Sequence, residues 1–164
     1  REQLTAQMRS EGVPVAERAQ AAARLIRLND GVDTIQSIVD LIELSSPSEL
    51  AVGLLQSLGA SESNALVSTL SGAWSRFTPA SRRAAVNLML SRVGWTMSML
   101  SAIGKGDIPK SELSASEWQQ LIYHKNTTIQ LRAGNMGIGA GNPDREAVFD
   151  SKRAAALQLS LIHI

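Results

Sequence analysis

Five prolines, Pro14, Pro47, Pro79, Pro109 and Pro143, divide this chain at intervals of 33, 32, 30 and 34 residues. Proline has a fixed φ and no amide hydrogen, so a helix accepts it at the first position and rejects it in the interior. Prolines at these intervals predict one helix start each, the period of stacked helical pairs. The flanking residues agree. Ser46-Pro47-Ser48-Glu49 reads as a capping box, with Ser46 accepting from the first-turn amides and Glu49 reaching back. Thr78 before Pro79 and Asn142 before Pro143 are N-cap residue types. Pro109 fits less well. There the second box, Ser114-Ala115-Ser116-Glu117, starts the helix and leaves residues 108–113 as a connecting turn.

Each interval then holds two amphipathic stretches. After Pro14 come Ala22, Leu25 and Ile26, followed by Ile35, Ile38, Val39 and Ile42. After Pro47 come Leu50, Leu54, Leu55 and Leu58, then Leu66, Leu70, Ala73, Trp74 and Phe77. Val86, Met89, Leu90 and Val93 follow Pro79, with Trp95, Met99, Ala102 and Ile103 behind them. The last interval has Trp118, Leu121 and Ile122, then Ile129, Ala133 and Met136. These spacings follow the helical period of 3.6, and no run sustains the alternation of a strand. Gly59 and Gly94 stand where a left-handed C-terminal cap is expected. An Arg-Ala dipeptide recurs at Arg18, Arg83 and Arg132, the small alanine allowing close approach and the arginine reaching the rim.

The fold class read from this pattern is all-α, a HEAT-like α-solenoid in which short pairs stack because none can bury its apolar face alone. Residues 1–142 form the repeats, with approximate units 14–46, 47–78, 79–108 and 109–142. Residues 143–159 read as the start of a following helix or linker. Residues 160–164 read as a non-native tail, which removes His163 from the candidate ligands. At the other end, Arg1 opens directly into a helix-like run without a signal peptide, so the chain is expected to begin inside a longer protein.

Composition narrows the chemistry. With no cysteine, these 164 residues carry no disulfide, thiolate zinc site, cysteine nucleophile or covalent haem attachment. A net charge of +1 gives no electrostatic case for nucleic acid or an anionic membrane. No apolar run approaches the roughly 20 residues needed to span a bilayer.

Individual candidates fare no better. Gly134, Gly137, Gly139 and Gly141 invite a phosphate-loop reading, but Gly137-Ile138-Gly139 is followed by Asn142 where the motif needs glycine. A frayed helix end and loop before the Asn142 cap is the expected structure. His124 has no second histidine or cysteine to build a metal site and is expected at a helix C-terminus, where a cation meets the dipole. Asp40 and Glu43 share a helix face as solvated carboxylates commonly do, and no G-x-S-x-G elbow occurs. Arg82, Arg83 and Arg145 are isolated basic residues, and Trp74, Trp95 and Trp118 read as packing anchors. No catalytic, cofactor-binding or metal-binding residue is predicted.

One stretch carries a resemblance. Its phrases are Arg82-Arg83-Ala84-Ala85, Leu90-Ser91-Arg92 leading to Trp95, and Leu100-Ser101-Ala102-Ile103. Gly106-Asp107-Ile108-Pro109, Leu113-Ser114, Leu121 with His124, Ile129 with Arg132-Ala133, and Gly141-Asn142-Pro143-Asp144-Arg145 continue it. In this order, residues 81–145 resemble the helical-repeat region of the PVC-type haem-binding CxxCH proteins, which are membrane-bound dehydrogenase-like c-type cytochromes. The resemblance implies a parent in which a sugar-dehydrogenase-like propeller precedes HEAT-like repeats and a haem c electron-transfer domain follows them. It implies a non-enzymatic, structural role for this segment and an exported, periplasmic or membrane-associated parent that is itself an oxidoreductase. The implied partners are the neighbouring propeller and cytochrome domains. The implied cofactor is haem c in the parent and none here, because the segment stops short of the C-x-x-C-H sequence. An alternative reading is a stand-alone α-solenoid that binds a protein partner.

Overall fold

The computed structural model describes residues 1–42 and 46–137. Among these residues the chain is all-helical, with no strand. The helices are α1 (Glu2–Arg9), α2 (Val15–Leu28), α3 (Val32–Val39), α4 (Ser48–Ser57), α5 (Leu66–Gly72), α6 (Pro79–Leu90), α7 (Val93–Lys105), α8 (Ala115–Ile122) and α9 (Thr127–Gly137). Short 3-10 turns cover Leu58–Ala60, Trp74–Arg76 and Lys110–Glu112.

Packing sorts the helices into two rows. In one row α1 lies on α2, α2 on α4 and α4 on α6. In the other, α3 lies on α5, α5 on α7 and α7 on α9. Sequential neighbours α2 and α3, and α6 and α7, join the rows, and α8 packs on α9 at the end. The residues at helical spacing supply the contact: Leu25, Ile26, Ile35, Ile38, Leu54, Leu66, Leu70, Met89, Met99, Leu100 and Ile129 are all buried in one continuous apolar cluster. Small residues let the first row close up. Ala21, Ala22 and Ala51 are buried, and a Cβ added at Gly53 would come within 3.3 Å of the Ala19 methyl.

Pro14, Pro47 and Pro79 sit at helix starts, with a shift in register, while Pro143 lies outside the described residues. Pro79 is the first residue of α6, and the Thr78 hydroxyl accepts from the Ser81 amide at 3.2 Å. Pro14 and Pro47 are instead N-caps, so their helices begin one residue later than expected. The Ser46 box therefore does not cap α4. Ser46 stands one residue too far back, and its hydroxyl donates to the Leu41 carbonyl at 2.9 Å in the preceding connection. The Ser114 box does form. The Ser114 hydroxyl accepts from Glu117 N at 3.3 Å, and Glu117 Oε2 accepts from Ser114 N at 2.8 Å. Before it, buried Ile108 and Leu113 pin the turn that Pro109 opens.

The glycine caps are placed differently from the sequence expectation. Gly59 lies inside the 3-10 turn that extends α4, and Gly94 is the second residue of α7. The left-handed position belongs to Gly106, with φ 88° at the end of α7. There the Asp107 amide reaches back to Ala102 O and the Gly106 amide to Ile103 O, closing a full Schellman motif. A two-residue link, Ser91-Arg92, separates α6 from α7, so no cap glycine is needed at that junction. Val93 consequently starts a helix at the surface, 46% exposed, instead of closing the core. Gly134 and Gly137 belong to α9 and not to a frayed loop. Gly139, Gly141, Asn142, Arg145 and residues 143–164 lie outside the described residues, as does Glu43.

Candidate interaction surface

The chain order puts the turns within each pair at one edge of the two rows and the connections between pairs at the other. The edges differ in chemistry. At the first, the second turn is held from both sides. Asp30 of the first turn accepts from the Ser61 hydroxyl and from the Glu62 amide. Arg92 of the third turn donates to Ser61 O at 2.7 Å and to Gly59 O at 2.9 Å. Arg92 also lies 4.3 Å over the Trp95 ring, whose Nε1–H donates to Ser63 O at 3.2 Å. Leu28, Val32, Val93 and Tyr123, four large apolar side chains exposed to solvent, decorate this edge.

At the second edge the links are ionic. Arg76 meets Asp40 at 3.2 Å, Arg82 meets Glu112 at 3.3 Å, and Arg83 meets Glu117 at 2.6 Å. Trp74 Nε1 shares Glu112 Oε1 at 3.4 Å. Desolvation alone would raise the pKa of Glu117. The Ser114 amide and hydroxyl and the charge of Arg83 outweigh it, holding the carboxyl below its usual range.

Two clefts open along the ionic edge. One, of about 690 Å³, lies between residues 72–75 and 106–109 and is lined by Trp74, Arg82 and Asp107. Arg82 Nε is buried beside it with no partner. The other, of about 620 Å³, is lined by Arg9, Arg18 and Asp40, with Val13, Leu41 and Pro47 among its other walls. Arg18 and Arg82 hold the same place in their helices, four residues after the N-cap. The same offset is buried at Ala51 in α4 and at Trp118 in α8, while Arg82 itself is only half-buried.

The residues weighed from sequence are scattered over this frame. His124 follows the end of α8 half-buried, and its Nδ1 accepts from the Asn126 amide at 3.0 Å. It stands just past the helix C-terminus, as expected, and serves there as a turn acceptor. Asn126 in turn caps α9, accepting from the amides of Thr128 and Ile129. Asp40 is half-exposed and shared between Gln36 and Arg76. Arg83 and Arg132 reach neighbouring pairs through Glu117 and Ser101, while Arg18 turns inward. All three tryptophans are buried with the indole N–H hydrogen-bonded, as packing anchors are. Sequence reading passed over Asp30, Glu112 and the inward course of Arg18. The one available signal was the shared offset of Arg18 and Arg82 from their caps.

Among the described residues, no group of three or more His, Asp or Glu could hold a metal ion, and no helix is long and apolar enough to cross a membrane. No known family, curated protein or solved structure matches this chain.

Proposed function

We propose that this segment is a HEAT-like α-solenoid scaffold, with about 32 residues per repeat and no catalytic role of its own. One observation carries the reading. Side-chain hydrogen bonds between successive pairs cluster near one sequence separation: 31 residues for Asp30–Ser61 and Arg92–Ser61, 32 for Trp95–Ser63, 30 for Arg82–Glu112 and 31 for Arg132–Ser101, with Arg83–Glu117, Arg76–Asp40 and Trp74–Glu112 wider at 34, 36 and 38. Neighbouring pairs are thus tied by side chains about one repeat apart, a property that lets an array hold attached domains at a set distance.

The parent we infer is the exported, periplasmic or membrane-associated haem c protein implied by residues 81–145, with this segment spacing a propeller from an electron-transfer domain. The ordered phrases alone support that parentage. The full-length gene tests it. A C-x-x-C-H sequence within roughly a hundred residues downstream, about one small domain, is expected. Its absence refutes the parent and leaves the scaffold.

A stand-alone partner-binding solenoid is the second reading, and the clefts on the ionic edge favour it. A complete gene ending near Arg153, without propeller or haem motif, is the outcome that would select it.

A further inference from the structure

A guanidinium largely withdrawn from water is normally matched by an anion, because an unpaired buried charge is costly. Arg18 breaks this rule. It is only 8% exposed, yet among the described residues no carboxylate pairs with it. Its one side-chain hydrogen bond runs from Nε to the Met8 carbonyl at 2.8 Å. That leaves the two terminal nitrogens, the fork that binds a carboxylate through two parallel N–H donors. They are not sealed in protein, since among the described residues only Arg82 Nε is a buried side-chain nitrogen or oxygen without a partner, and Arg18 lines the cleft of about 620 Å³.

The rest of that cleft fits an anion of a particular kind. Arg9 adds a second positive charge at the rim. Of the two acidic groups lining it, Glu11 is exposed and Asp40 is tied to Gln36 and Arg76. Val13, Val15, Leu41 and Leu50 supply apolar wall. The equivalent arginine shows what the position takes: Arg82 is met by Glu112 from the connection that follows α7. No described residue from the connection after α3 does the same for Arg18.

We propose that Arg18 and this cleft form a binding site for a carboxylate carried on a small apolar group. An apolar C-terminal residue of a peptide and a free short aliphatic acid both have that chemistry. The site stands independently of the scaffold reading. Arg18 supplies the two-pronged contact, Arg9 draws in the charge, and the apolar wall takes the attached group.

The test is an amide-resolved NMR titration of the whole chain with three probes: N-acetyl-leucine, its uncharged analogue N-acetyl-leucinamide, and isovalerate. N-acetyl-leucine should shift the amides of Met8, Arg18 and Leu41 saturably, with a Kd of about a millimolar or tighter. The amide analogue should leave them in place. If isovalerate binds as tightly as N-acetyl-leucine, the free acid is sufficient. If it binds at least tenfold more weakly, the peptide terminus is the ligand. Arg18→Met, with an unchanged far-UV spectrum, should abolish the shifts. Arg18→Lys keeps the charge without the fork and should weaken binding about tenfold, which serves if the methionine variant misfolds. Equal shifts with acid and amide, full binding by Arg18→Met, or no saturable shift would each overturn the proposal. So would binding seen only after Glu43→Gln, because the chain's own carboxylate would then be the partner of Arg18.

Discussion

Leu70 offers the sharpest measure of whether the two rows behave as one packed body. It is fully buried on α5, the helix that lies between α3 and α7, so it serves three successive pairs. Leu70→Ala removes three carbons. At roughly 0.8 kcal/mol for each buried methylene-sized group, the transfer loss is about 2.4 kcal/mol. Neighbours on both sides are anchored in their own pairs and cannot fully close the hole, and the cavity they leave adds to the loss. The expected total is about 3–4 kcal/mol, inside the range of about 2.7–5 found for buried leucines. For a chain of this length that corresponds to a fall of roughly 6–16 °C in melting temperature. Urea unfolding followed by far-UV circular dichroism would read it as a shifted midpoint at constant slope. Leu131→Ala, at a side chain 67% exposed on α9, is the control and should cost under about 0.5 kcal/mol. A Leu70→Ala loss below about 0.5 kcal/mol, or equal losses at the two sites, would refute the shared core.

The glycines give a paired prediction. Gly106→Ala should destabilise by about 1–2 kcal/mol through its left-handed backbone alone, since an added Cβ would meet nothing within 4 Å. Gly94→Ala, equally open but helical, should stabilise by up to about 1 kcal/mol, and thermal melts of the two variants should move in opposite directions. Ser114→Ala should cost about 1 kcal/mol in urea unfolding by removing one half of the capping box. Glu117 adds a pH signature. Its folded pKa is lowered, so its stabilisation is complete above the unfolded value of about 4.3 and fades as pH falls through the folded one. The stability gap between native protein and Glu117→Gln should therefore be full at pH 7 and close as pH falls from about 4.3 through the lowered folded pKa. A gap that persists in acid would mean the charge is not what matters.

The core was readable because burial in a helix leaves a period of 3.6 that survives any tertiary detail. Leu50, Leu54, Leu55 and Leu58 are buried as their spacing requires, and so are Trp95, Met99 and Ile103. Terminal geometry was less readable, because it depends on one-residue offsets. Ser46 and Ser114 open similar boxes, but Pro47 adopts the extended backbone of a cap and pushes Ser46 out of reach. Gly59 and Gly94 satisfy the residue preference for a left-handed cap, yet the chain turns there without one. The polar links were hidden for a different reason. Asp30, Ser61 and Arg92 come together only once the pairs are stacked, and no local pattern marks a carboxylate whose partners are 31 residues away. Arg18 looked like a rim residue because α1, which supplies its Met8 acceptor, carries no motif that places it.

The contrast between the two edges gives the molecule an asymmetric response to its solvent. All three ion pairs of the described residues sit where one pair connects to the next, and salt weakens such contacts within a Debye length of about 8–10 Å. At the opposite edge Arg92 and Trp95 grip backbone carbonyls, and Asp30 binds neutral donors, so mobile ions have little to screen. Raising ionic strength therefore loosens one side of the array and spares the other. Salt is thus expected to act on this chain from one side, the side on which both clefts lie.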